Sequence, residues 1–378
     1  MMSDDSHRPR RAVLRTSVAV AGLGTIAGCT NEGRNENEDT ENDTGGGSSG
    51  SYSVTMEPVG TVEFDSVPET WAANNGSWAD MGIALGQEPP ECVWLTNRYR
   101  TQYYDEIPNV SVDKSDMIAL SEQNADKELF YEMMADVHVM DPNFLMNRFD
   151  GWDQDDVDEV KEHIGPFFGN TIFNQEYPWH DYEYLTLYEA FEKLSEVFQE
   201  QDRYKAFAEL HDEFQDEIDE IVPPEGERPD VAILWPTEAE ANTFYPFTID
   251  EGTSFKQWHD LKVNDALGKA GVSDFASDRG TIDYESLLEI DPDVLLIRGQ
   301  EDMTAAEFQD EVVSEMESYN FASSLTAVQN GDVYRGGPLY QGPITNLVLT
   351  ERAAQQLYDV EEELFDRQEV SDIVNGEF

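Results

Sequence analysis

The sequence predicts an α/β protein: two Rossmann-like lobes joined by one long interlobe helix, with a ligand cleft between the lobes. Three observations carry this expectation. The first is the run Tyr284-Glu285-Ser286-Leu287-Leu288-Glu289-Ile290-Asp291-Pro292-Asp293-Val294-Leu295-Leu296-Ile297-Arg298-Gly299. Leu287, Leu288 and Ile290 form the apolar face of a short helix, and Pro292 stops it. Val294 to Ile297 is the unbroken apolar run of a parallel strand covered on both faces. The second is a similar unit at Glu128-Leu129-Phe130-Tyr131-Glu132-Met133-Met134-Ala135-Asp136-Val137-His138-Val139-Met140. Aligned without gaps, Glu128 falls on Glu285, Glu132 on Glu289, Asp136 on Asp293 and Val137 on Val294, about 157 positions apart. The third lies between them. Tyr204, Phe207, Leu210, Phe214, Ile218 and Ile221 recur at spacings of three and four, the pattern of an amphipathic helix over 202–222, about 30 Å long. Four matches alone do not exclude chance; a long helix between the two units favours related lobes.

At 378 residues the chain is long enough for two domains with cores of their own. It carries 80 acidic against 23 basic side chains, a formal charge of -57. No basic patch survives in such a field, which excludes an electrostatic nucleic-acid binder. Acidity of this order also marks disorder, but 39% hydrophobic and 11% aromatic residues, spread along the chain, argue for a packed fold. The dispersed acids fit a halophilic protein, whose surface repulsion is screened when the Debye length falls to about 3 Å in molar salt.

Taken in order, residues 1–29 read as an export signal. Arg10 and Arg11 form a twin-arginine motif, and an apolar segment from Ser17 to Ala27 is too short to span a membrane as a permanent helix. It ends in Ile26-Ala27-Gly28-Cys29, which resembles a lipobox and makes Cys29 the candidate lipidation site. Residues 30–51 are Asn-, Glu- and Gly/Ser-rich, a flexible acidic tether. Signal, lipid and tether place the body at the extracellular face of the cell membrane, lipid-anchored.

The N-terminal lobe is expected over 52–201. Tyr52 to Phe64 reads as an entry strand or hairpin, Val67 to Ala73 as a strand, Trp78 to Leu85 as a helix closed by Gly86, and Cys92 to Leu95 as a second strand. Cys92, in its apolar run, is a small core residue. The loop Asn97 to Tyr104 brings arginines and tyrosines together in a chain short of positive charge, which suits an anionic or polyoxygenated ligand as well as it suits a packed surface loop. Asp153 to Asp158 lacks the glycine and later glutamate of a calcium loop and reads as an acidic helix start. The aromatic segment from Phe167 to His180 either lines a pocket or closes the core.

The C-terminal lobe is expected over 223–378. Pro223 and Pro224 stop the linking helix, and Val231 to Leu234 begins a new strand. Trp235, the run Phe244 to Phe247 and a helix near Phe255 to Leu261 follow. Asp332 to Arg335 is the last strand, Gly336 to Pro343 the loop at its end, and Ile344 to Leu357 a helix.

An exported lipoprotein of two α/β lobes joined by one long helix resembles the substrate-binding component of an ABC importer. In particular it is similar to the iron-siderophore/cobalamin periplasmic-binding family, in a haloarchaeal form. The stretches that carry the likeness are Asp283 to Leu288 before Asp291 to Val294, Leu261 to Ala266, Ala327 to Tyr334, and Phe365 to Val374. The resemblance implies a class III substrate-binding fold with ligand held between the lobes, outside the C-terminal strand ends. Candidate ligand-binding residues are Trp78, Tyr99, Arg100, Tyr103, Trp235, Tyr245, Arg298 and Tyr340, of which Arg298 directly follows a buried strand. It further implies that Glu128 and Glu285 dock onto a permease served by an ATPase. The protein is then a binder without a resident cofactor, a monomer with no catalytic residues. Its expected ligand is an iron-siderophore complex, hydroxamate type favoured.

Cobalamin, haem or a free metal ion are alternative ligands within the same class. Zinc or manganese would require several histidines and carboxylates at one point, and His138, His163, His180 and His259 are scattered. An anchored extracellular enzyme is the further alternative, but the chain holds no Gly-x-Ser-x-Gly elbow, His-Glu-x-x-His or P-loop. A structural surface protein would be expected to show fibrous repeats, which are absent.

Overall fold

The computed structural model describes residues 50–123, 125–175, 177–237 and 242–378. The export signal with Arg10 and Arg11, the Cys29 lipidation site and almost all of the tether lie outside these residues. Among the described residues no helix is long and apolar enough to cross a membrane.

The entry segment is an antiparallel hairpin of β1 (Tyr52–Met56) and β2 (Gly60–Phe64). Its alternation buries Val54, Met56, Val62 and Phe64 and exposes the residues between. The first lobe is built on four short parallel strands: β3 (Trp71–Ala73), β4 (Cys92–Val93), β5 (Ile118–Ala119) and β6 (Val137–Val139). β3 pairs with β6 and β4 with β5. Bonds from Glu91 N to Trp71 O and from Trp94 N to Asn74 O, at 2.9 and 2.8 Å, join the two pairs. A bridge between His138 and Phe167 extends the far edge. The strand is shorter than the expected Val67 to Ala73, because only residues 71–73 gain a parallel partner.

The second lobe holds β7 (Asp230–Pro236), β8 (Thr243–Phe247), β9 (Asn264–Asp265), β10 (Ile282–Asp283), β11 (Val294–Ile297) and β12 (Val333–Arg335). They lie in the order β10-β8-β7-β11-β12, with β9 beside the first residues of β7. β7, β11 and β12 are parallel and central; β8 and β10 turn the edge antiparallel. β11 is buried at all four positions, as its unbroken apolar run requires.

The two repeated units superpose in their chemistry. The helices Lys127–Met133 and Tyr284–Ile290 occupy aligned positions, start on the side-chain caps Asp126 and Asp283, and end on the left-handed residues Met134 (φ 52) and Asp291 (φ 48). Asp136 then accepts the backbone amides of Glu69 and Thr70 at 2.9 Å, and Asp293 accepts that of Asp230 at 2.9 Å. Each aspartate thus clamps the start of its lobe's first parallel strand to the start of the next.

The linking helix runs Gln201–Ile221 and buries Phe207, Leu210, Phe214 and Ile218. It packs on the helix Leu187–Phe198 of the first lobe and on the helices Pro343–Tyr358 and Arg367–Asn375. Pro343–Tyr358 in turn lies against Gly76–Ala84 of the first lobe and Lys256–Asp260 of the second. One apolar core, with Trp78, Phe207, Phe214, Trp258 and Leu347, therefore runs through both lobes and the helix between them.

Candidate ligand-binding cleft

In both lobes the C-terminal strand ends open onto one cleft. Trp94 and Arg98 follow β4, Phe144 and Arg148 stand on the helix Pro142–Arg148 after β6, and Phe173, Asn174 and Tyr177 belong to the segment beyond Phe167. From the other side come Trp235 at the end of β7, Tyr245 and Phe247 on β8, Ser254, then Phe275, Ala276 and Arg279, and finally Leu339 and Tyr340 beyond β12. The space between these residues is about 810 Å³ when the solvent open to it is included.

The lining is aromatic and cationic. Phe173 of the first lobe meets Tyr340 of the second edge-on at 5.5 Å, and Tyr245 packs on Phe275 at 4.3 Å. The Arg98 guanidinium lies 5.0 Å over the Trp235 ring, and that of Arg279 lies 4.7 Å over Phe275. Burial raises the Tyr340 phenol above its ordinary range and pushes Tyr177 up to about 12, while the nearby arginines pull both downward. Both phenols are therefore neutral at ordinary pH, and the Tyr340 oxygen accepts from Arg98.

Of the residues expected from the sequence, the structure places Trp235, Tyr245 and Tyr340 on this lining. The other five are elsewhere. Trp78 is 1% exposed, in the core shared by the lobes. Tyr99 is buried and donates at 2.8 Å to Tyr104, which donates at 2.7 Å to Asp80. Tyr103 is buried with the Arg352 guanidinium 5.1 Å over its ring. Arg100 pairs with Asp302 across the lobes. The loop Asn97 to Tyr104 thus folds inward as a strap between lobes, and only its Arg98 reaches the cleft.

Arg298 follows its strand as expected, but it is fully buried behind the cleft floor. It stacks between Phe247 and Phe255 at 5.1 and 4.8 Å and donates from Nη2 to the Ser254 carbonyl. Its Nε and Nη1 have no partner among the described residues. Burial lowers its pKa to about 10 and pushes that of the neighbouring Glu301 up to about 7, so the guanidinium stays charged at neutral pH.

The sequence carries no individual sign of Trp94, Phe144, Arg148, Phe247, Phe275 and Arg279, whereas Arg98 lies in the arginine–tyrosine loop, and Phe173 and Tyr177 in the aromatic segment, that it marks as candidate lining. The usable signal was scarcity: in a chain this poor in cations, every arginine near aromatics is a candidate for contact with an anion. His138 is buried in the first-lobe sheet, with its pKa lowered to about 4 by burial, and faces Gly165 O at 3.2 Å. Among the described residues no three His, Cys, Asp or Glu are grouped so as to hold a metal ion. Glu128 and Glu285 are both exposed, each in the first turn of its repeated helix. Asp153 caps the helix Gln154–His163 in a reciprocal box with Asp156, the acidic helix start expected there.

The family described as periplasmic binding protein matches residues 101–339. Solved structures share the fold. Staphylococcus aureus SirA complexed with staphyloferrin B is 14% identical, with a TM-score of 0.54, covering 84% of this chain and 100% of that one. Bacillus subtilis FeuA, a triscatecholate siderophore binding protein complexed with ferri-bacillibactin, is 15% identical, with a TM-score of 0.54 and coverage of 82% and 98%. Streptococcus pneumoniae PiaA in complex with ferrichrome is 15% identical, with a TM-score of 0.53 and coverage of 81% and 97%. No curated protein matches the chain. With the family match spanning well over half of its length, and two α/β lobes joined by one long helix around a common cleft, the chain belongs to the periplasmic binding protein family.

Proposed function

We propose that the protein is the substrate-binding component of an ABC importer, held at the outer face of the cell membrane, which captures a ferric siderophore in the interlobe cleft and passes it to a permease. The observation that carries this is the cleft itself: aromatic faces and guanidinium groups from both lobes, placed at the strand ends. The complexes of SirA, PiaA and FeuA named above support an iron chelate as the class of ligand. A free metal ion is disfavoured, because the lining offers no grouped carboxylates or imidazoles. The lipid anchor rests on the Cys29 motif.

Delivery needs a surface reached from one side by both lobes. Glu128 and Glu285 occupy aligned positions on exposed first turns, and we take them as the docking pair. Replacing both by Ala should leave ligand binding intact and abolish uptake by cells. Uptake that survives the double replacement removes the docking assignment.

The binding test uses the tryptophans already in the lining, Trp94 and Trp235. Their fluorescence in about molar salt should be quenched saturably by a ferric siderophore, after inner-filter correction. A response only to cobalamin, haem or free metal ions would reassign the ligand. A folded sample that responds to none would overturn the binding function.

A further inference from the structure

The charge of the cleft runs against that of the chain. The whole sequence holds more than three acids for every base. Yet the described residues lining the cleft include three arginines, Arg98, Arg148 and Arg279, and no aspartate or glutamate. Elsewhere four arginines are matched by acids, Arg100 with Asp302, Arg203 with Glu200, Arg352 with Glu106 and Arg367 with Glu351, while Arg228 and Arg335 donate to the carbonyls of Pro223 and Met303. None of the three cleft arginines has a carboxylate within ion-pair distance among the described residues.

They also converge. Arg148 acts on the phenols of both Tyr177 and Tyr340, Arg279 on the first and Arg98 on the second. Two of the three come from the first lobe and one from the second, so all three can close on one guest. Buried Arg298, stacked behind Phe247, stands near the carboxyl groups of Glu301, Asp274 and Asp250 and is not counted with the three. Like charges gathered in this way repel one another, and an anion placed among them relieves that repulsion.

Building on the reading of the cleft as a ferric-siderophore site, we propose that its ligand is an anionic iron chelate of catecholate or carboxylate type. This departs from the hydroxamate type favoured by the sequence. Three singly charged hydroxamates cancel the charge of ferric iron, and a neutral chelate would leave the arginines unmatched. Catecholates carry two charges each, and citrate-type ligands carry surplus carboxylates, so both leave the chelate strongly negative. The guanidinium fork matches paired anionic oxygens, and the aromatic walls take the organic scaffold.

Calorimetric titration of the full-length protein in about 2 M KCl, with ferri-bacillibactin, ferric citrate and ferrichrome in separate arms, tests this directly. One anionic chelate should bind at least about tenfold more tightly than ferrichrome, and the first two arms tell catecholate from carboxylate. The double variant R148Q/R279Q should weaken that chelate by about 10- to 100-fold and any ferrichrome binding by a smaller factor. Tighter binding of ferrichrome would overturn the charge assignment and leave the ferric-siderophore reading standing. Equal losses for all ligands in a folded variant would likewise overturn it. Absence of binding in all three arms would overturn both.

Discussion

Asp80 is a first-lobe carboxylate that caps a second-lobe helix. One of its oxygens accepts the amides of Ile344 and Thr345 at 3.1 and 3.0 Å and the Thr345 hydroxyl at 3.1 Å; the other accepts Tyr104. Gly342 makes the approach possible, because a Cβ there would stand 2.5 Å from that of Asp80. Burial pushes the Asp80 pKa up to about 6, and the hydrogen bonds only partly offset it. A raised carboxyl pKa means that the folded chain keeps its proton where the unfolded chain has lost it. The contribution of Asp80 therefore falls as pH rises from the ordinary carboxylate range through about 6. D80N should remove this dependence: between about pH 4 and 6 its unfolding free energy should gain about 2–3 kcal/mol relative to the parent, by denaturant titration in molar salt. A difference that stays flat with pH would contradict the assignment. Buried Glu301, pushed up to about 7, titrates in both proteins and cancels from the comparison. The same residue scale shows what was legible in the sequence. Trp235 and Tyr340 lie at or just beyond strand ends and reach the cleft. Tyr99 and Tyr103 sit in an equally suggestive loop and point inward, because Asp80, acting through Tyr104, and Arg352, both outside the loop, hold them there.

The repeated αβ unit was readable from a few acids and one apolar run, and the structure shows why. Asp126 and Asp283 cap, Met134 and Asp291 take the left-handed turn, and Asp136 and Asp293 clamp neighbouring strands. Each position is set by local backbone chemistry, which leaves a mark in sequence. The cross-lobe bonds leave none. Ser77 lies 3.1 Å from the Thr253 hydroxyl and accepts the Gln341 amide at 3.1 Å, and with the Asp80 cap it fastens the helix Gly76–Ala84 to the second lobe. Together with the linking helix Gln201–Ile221, these bonds allow tightening around a ligand but not wide closure. Small-angle scattering should record a change in radius of gyration below about 1 Å on ligand addition. A change of several ångströms would mean that these bonds break in the ligand-free protein.

At the scale of the whole molecule, a formal charge of -57 sets the conditions under which any of this operates. Self-repulsion falls as the Debye length shrinks, so the thermal midpoint should rise by about 10 °C or more between roughly 0.2 and 2 M KCl. A midpoint that ignores salt would remove the halophilic reading. The same field repels an incoming anion at long range while the cleft arginines attract it at contact. Association with an anionic chelate should therefore quicken as salt rises, the reverse of ordinary steering between opposite charges.

The proposed ligand site is the cleft between Trp94, Arg148, Trp235 and Tyr340. Anomalous diffraction at the iron edge, from crystals grown with the tightest-binding ferric chelate, locates the metal without reference to any expected pose. One iron peak inside this cleft is expected, with the chelate against the arginines. An iron peak elsewhere, with the cleft filled only by solvent, would contradict it.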